Sequence, residues 1–184
     1  MTSSNYDDQQ RKVTGGRNGF GAKLANIFSS KFIIETADAK RGKSYRQVFR
    51  NNMGERDPPI IKDGASMDYT CVTFYPDLKK FRMNRMDEDV VSLLTKRAYD
   101  LAGVSDAKVK VFLNGERIQV ANFTDYCDLY LKSEGNRELP KIVEKKQDRW
   151  EVIASLSDGQ FQQVSFVNSI CTSKGGTHVN YIVD

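Results

Sequence analysis

Four glycines in seven positions, Gly15, Gly16, Gly19 and Gly21, constrain this chain more than any other feature. Glycine enters the positive-φ region without steric cost and lets the backbone approach a ligand closely. Ala22, Leu24, Ala25, Ile27 and Phe28 follow at helical spacing and predict a short helix over 22–28. The unpaired N–H groups and dipole of such a helix would face whatever the loop encloses, an arrangement suited to phosphate. Arg17 and Lys23 add positive charge, the first as a planar fork and the second as a point charge. The plain alternative is a glycine-rich turn that merely starts a helix. The two basic residues inside the loop count against it.

Neither of the two common nucleotide fingerprints fits. In the Walker A pattern, Gly16 and Gly21 have the required gap, but Ala22 displaces Lys23 by one position and Leu24 stands near the place of the magnesium-binding hydroxyl. In the dinucleotide pattern, Gly19 and Gly21 are followed by Leu24, and a polar loop rather than a strand comes before. The segment therefore reads as a phosphate loop of another kind, with magnesium held elsewhere.

Composition narrows the class. Hydrophobic residues are 39% and charged residues 28% of 184, near a globular average. No apolar run is long enough to span a membrane, and the first residues lack the pattern of a secretory signal, so the expectation is a soluble intracellular protein. Cys71, Cys127 and Cys171 lie far apart and His178 is the single histidine, which predicts reduced thiols and no metal cluster. The net charge of +4 permits contact with nucleic acid without arguing for it. The basic stretch 141–149 also contains Glu144 and Asp148 and reads as a solvated face.

Further along, 31–37 and 44–50 predict a β-hairpin, 51–67 an irregular connection, and 68–75 another strand stopped by Pro76. Residues 87–102 predict the clearest helix, with acids in its first turn and a buried stripe of Val90, Val91, Leu94, Ala98 and Leu101. Gly103 is expected just beyond its end, and the pattern restarts near 100–104, which suggests a domain boundary. Asn114-Gly115 signals a hairpin between 109–113 and 116–120. A helix is expected over 123–131, a second hairpin between 150–156 and 161–168, and a helix start after Gly176. The fold class expected is α+β.

The run from Gly16 to Lys23, continuing through Leu24-Ala-Asn-Ile-Phe-Ser29, resembles the third nucleotide motif of type II DNA topoisomerases, in their GHKL ATPase domain. Residues 2–8, 68–78, 97–103, 109–115, 163–170 and 172–176 are similar to further segments of the same family, in the same order. The resemblance implies the C-terminal part of a GHKL ATP-binding domain over 1–102, including the ATP lid. It implies the N-terminal part of a ribosomal-S5-domain-2-like transducer over 103–184.

By the same resemblance, backbone N–H groups from Gly16 through Arg17, Asn18, Gly19, Phe20, Gly21 and Ala22 would hold the triphosphate of ATP, with Lys23 pairing its charge. Ser3, Ser4 and Asn5 match residues that contact the sugar and phosphates, the alternative being a polar frayed terminus. Phe20 stands where an aromatic is usual. The family's catalytic glutamate and its magnesium and adenine ligands lie before the matched region, and a γ-phosphate lysine lies after it. The expectation is therefore that this chain alone is inactive, with Mg2+ ligated outside it and no catalytic residue within it. Neither Glu35 nor Glu55 has a partner that would make it a base, and no tyrosine here is assigned to DNA cleavage. The implied setting is a nuclear homodimer whose ATP-driven gate couples hydrolysis to DNA strand passage. The competing expectation is a non-catalytic binding or dimerisation module of the same family.

Overall fold

The computed structural model describes residues 5, 7, 9, 15, 16, 18–131, 139–146, 149–157 and 159–184. Contacts divide the chain into two compact units, one built on Gly16–Met86 and one on Asp87–Asp184 together with Gly15. None of its helices is long and apolar enough to cross a membrane, among the described residues.

The first unit opens with helix α1 (Phe20–Ile27), two residues earlier than the apolar spacing indicates. Strands β1 (Ser29–Asp38) and β2 (Lys43–Arg50) form the expected antiparallel hairpin, from Lys31 opposite Arg50 to Asp38 opposite Lys43. Residues 51–67 are less irregular than expected. They contain β3 (Glu55–Arg56) and β4 (Ile60–Asp63), which share the outer edge of β2 and leave Pro58 and Pro59 between them. A proline lacks the N–H that a ladder needs, so the pair splits one would-be strand into two. Strand β5 (Tyr69–Pro76) lies on the other edge of β1, with a register shift between Ser29 and Lys31. The core of this unit is Phe32, Ile33, Ala37, Val48 and Phe49, with Phe32 and Phe49 edge-to-face at 6.3 Å.

The second unit begins at helix α2 (Glu88–Val104), capped where the Asp87 carboxylate accepts the Val90 N–H at 2.9 Å. The expected buried stripe is not the buried face. Val91, Leu94 and Leu101 are about half exposed, whereas Asp100, Ala102 and Gly103 are buried. Gly103 sits inside the helix rather than past its end. A Cβ there would lie 2.6 Å from the Tyr126 ring, so the glycine is explained by close packing and not by a cap.

Beyond α2, β6 (Phe112–Leu113) and β7 (Glu116–Arg117) form the expected hairpin, with both turn residues at positive φ, Asn114 at 52° and Gly115 at 86°. Helix α3 (Phe123–Leu131) falls where expected. The second expected hairpin does not form. Strand β8 (Lys141–Lys146) pairs instead with β9 (Trp150–Ser155), so the basic stretch is a strand, its side chains largely exposed. The segment 161–168 contributes only β10 (Phe166–Val167), which turns at Asn168-Ser169 onto β11 (Ile170–Cys171). Helix α4 (Thr177–Val183) follows. The core gathers Ala102, Ile118, Val120 and Tyr126, with Phe123 and Phe166 against it.

Candidate functional site

The loop before α1 has the backbone its glycines suggest. Gly16 is at φ 67° and Gly19 at φ 64°, both in the left-handed region that side chains resist. A Cβ at Gly16 or Gly21 would meet no atom of the described residues within 4 Å. Gly15 differs. Its Cβ would stand 2.3 Å from Ile170, which makes it a packing glycine of the second unit.

Gly19 is the N-cap of α1 and no side chain among the described residues caps that helix, so its first N–H groups are left for an acceptor other than those residues. Lys23 lies just inside the helix and is half-buried, Phe20 is 61% exposed, and Gly21 and Ala22 are exposed. Asn5 donates from Nδ2 to the Gly16 carbonyl at 3.4 Å, which brings the leading segment to the start of the loop. Asn18 is exposed. Ser3, Ser4 and Arg17 lie outside the described residues. Backbone donors at a helix start with one ammonium in its first turn have the chemistry that an anion would fit.

Two polar residues under the helix were not singled out in the sequence. Ser29 is buried and donates to the Ala25 carbonyl at 2.5 Å, tying the end of α1 to the start of β1. Asn26 is fully buried, and neither of its amide atoms has a hydrogen-bond partner among the described residues. A polar residue amid the helix's apolar spacing was the only signal.

The glutamates near the loop in sequence are engaged elsewhere. Glu35 accepts from Arg46 at 3.1 Å and Glu55 from Asn51 at 2.6 Å, which gives both structural roles. No group of three or more metal-ligating side chains occurs among the described residues. The three cysteines are free, and burial pushes the Cys127 thiol up to about 12, away from reactive range.

The second unit holds the most connected polar cluster. Asp100, 4% exposed, accepts from Lys96 at 2.7 Å, Arg97 at 3.0 Å and the Tyr126 hydroxyl at 2.6 Å. Burial pushes the Asp100 carboxyl up, but hydrogen bonds from Lys96, Tyr126 and Arg97 outweigh it and hold the group below its ordinary range. Tyr126 is pushed upward by burial and by its bond to Asp100, so it stays a donor. The cluster clamps α2 to α3.

Known proteins place the loop in context. The profile of the DNA gyrase B family matches residues 122–184. The DNA topoisomerase 2 of Arabidopsis thaliana is 61% identical over 99% of this chain. The chain belongs to the type II DNA topoisomerases. It spans 13% of the length of that plant topoisomerase. The solved ATPase region of Saccharomyces cerevisiae topoisomerase II is 50% identical, covers all of this chain with 48% of its own, and superposes with a TM-score of 0.91. The ATPase domain of Thermus thermophilus gyrase B, at 22% identity and a TM-score of 0.58 over 88% of the chain, shares the fold alone. The α+β architecture is thus that of the GHKL ATPase and transducer regions of topoisomerase II.

Proposed function

We propose that this segment is the ATP-lid region of a type II topoisomerase gate, which couples ATP binding and hydrolysis to the passage of one DNA duplex through another. One observation carries the reading. The open positive-φ glycine loop leading into an uncapped α1 lies in a chain half identical, over its whole length, to a topoisomerase II ATPase region.

In this reading the backbone N–H groups of Gly16 to Gly21, with Ala22, cradle the triphosphate of ATP, and Lys23 neutralises part of its charge. Arg17, Asn18 and Phe20 complete the lid, and Ser3, Ser4 and Asn5 reach the sugar and phosphates. Such a lid works by position and fixed dipoles, supplying donors where charge gathers on the transferred group. The residues described do not fit a magnesium site. Residues 1–102 would act as the ATP-binding portion and 103–184 as the transducer portion, within a nuclear homodimer that closes over DNA.

The test is a graft. Residues 1–184 replace the matched segment of the yeast topoisomerase II, and relaxation of supercoiled plasmid is followed with and without ATP. ATP-dependent relaxation is expected, with Lys23→Ala weakening ATP binding and slowing turnover about ten-fold or more. Unchanged ATP turnover in Lys23→Ala would remove that residue from the site, and an inactive graft that still folds would reject the lid assignment.

A further inference from the structure

The first unit carries a second charged feature that the lid does not use. Lys79, Lys80, Arg82 and Arg85 fall within seven residues, all exposed. None forms an ion pair among the described residues. Four cations elsewhere in this unit are engaged, Arg41 with Asp38, Lys43 with Asp63, Arg46 with Glu35 and Arg50 with Asp57, whereas the other unpaired ones, such as Lys40, Arg56 and Lys62, are not gathered in one turn. Even the basic strand β8 pairs Lys141 with Asp128, and its Lys145 approaches Glu151 at 4.0 Å. Asp77, the acid at the start of the segment, is occupied by the Asn52 amide at 3.1 Å. The acids that follow, Asp87, Glu88 and Asp89, lie at the cap and in the first turn of α2.

The segment is held in shape. Leu78–Phe81 forms a 3-10 turn, closed by the Arg82 N–H on the Lys79 carbonyl at 3.0 Å and the Met83 N–H on the Leu78 carbonyl at 2.9 Å. Arg82 takes a left-handed backbone at φ 56°. Below it the Phe81 ring lies 5.3 Å from Phe28, and the Asp77 N–H donates to the Phe28 carbonyl at 2.8 Å. Nearby on the sheet, Lys31 sits 5.4 Å over the ring of its cross-strand partner Tyr75.

We propose that this turn, with Lys31 beside it, is a contact surface for the phosphate backbone of duplex DNA, which rests on the strand-passage reading above. Unpaired cations on a fixed turn present point charges to a polyanion without sequence preference. Phe81 leans on Phe28 at 5.3 Å and is 50% exposed, so the turn offers a cluster of charge with one partly covered ring rather than a row of stacking platforms, which favours duplex over single strand. A receptor that reads a basic run as an extended peptide would have to break the turn's hydrogen bonds.

The test uses the yeast ATPase region, solved as a folded piece, carrying residues 1–184 in place of its matched segment. Binding of a labelled duplex of about 30 base pairs is measured by anisotropy across a salt series. Lys79→Glu, Lys80→Glu, Arg82→Glu and Arg85→Glu together are expected to weaken binding at least roughly ten-fold at low salt and to lower the salt slope by about 2–3. Arg41→Glu with Lys43→Glu, where the cations already have acidic partners, should do much less. Binding of a non-hydrolysable ATP analogue is followed in every variant. An unchanged duplex affinity and slope, with analogue binding retained, overturns the proposal, as does capture by a nuclear import receptor with duplex affinity unaltered. If the unsubstituted graft binds duplex but no analogue, the lid reading fails while the comparison of duplex binding still decides this one.

Discussion

Gly103 and Asp100 lie three residues apart on α2 and hold α3 in different ways. At Gly103 the absence of a Cβ lets the Tyr126 ring approach, and added volume has no room to go. Gly103→Ala is expected to destabilise the second unit by roughly 2–3 kcal/mol, read as a lower midpoint in urea. A midpoint within error of the parent would mean that α2 and α3 do not meet at this glycine. Asp100 works by charge. Its carboxyl is held below the ordinary value in the folded state, so the stability it contributes is present above the unfolded carboxylate range, about 3.9, and is lost as pH falls through the lower folded value. Asp100→Asn should cost about 1–3 kcal/mol near neutral pH and much less in strong acid. Urea midpoints taken across pH would reveal this as a loss that shrinks on acidification; a loss that does not change with pH would assign the effect to packing alone.

Among the elements, those with short-range causes were legible in the sequence. The β1–β2 hairpin, the Asn114-Gly115 turn and α3 all follow from local patterning, whereas Asp87, read as a first-turn acid, proves to be the N-cap of α2. The glycine loop was legible for the same reason, since positive φ is a property of single residues. What sequence reasoning missed depends on partners far along the chain. Strand β9 alternates well enough to pair with 161–168, yet it takes β8, and nothing in its own residues states that choice. The buried face of α2 is set by Tyr126 rather than by the most apolar stripe. The β8–β9 register is directly testable. Ile142 stands opposite Ala154, so Ile142→Cys with Ala154→Cys should form an intramolecular disulfide on mild oxidation, located by peptide mass. Failure of that pair to close, with closure of a bridge from position 154 to 163 instead, would restore the hairpin expected from sequence.

As a whole molecule, the chain leaves much apolar surface uncovered. Val72, Phe74 and Tyr75 on β5, Val91, Leu94 and Leu101 on α2, and Ile142 on β8 are each near half exposed or more. Patches of this kind favour association. The isolated 184-residue chain is expected to scatter light and melt broadly at micromolar concentration, and to become monodisperse when grafted into the yeast ATPase region. A monomer with one sharp, reversible transition would show that both units bury enough on their own.

The glycines at the mouth of the loop have a practical consequence for any growth-based mutational scan of this segment. Gly15 and Gly16 are neighbours, and substitution at either would score as deleterious, yet the causes separate cleanly. A side chain at Gly15 collides with Ile170, so such variants should disappear from the cell as protein. A side chain at Gly16 meets no atom of the described residues and is opposed only by the positive φ, a cost of about 1–2 kcal/mol, so those variants should stay far more abundant than Gly15 variants while still failing to support growth. Reading abundance beside fitness would thus sort a run of adjacent glycines into scaffold and working surface, with no ligand required.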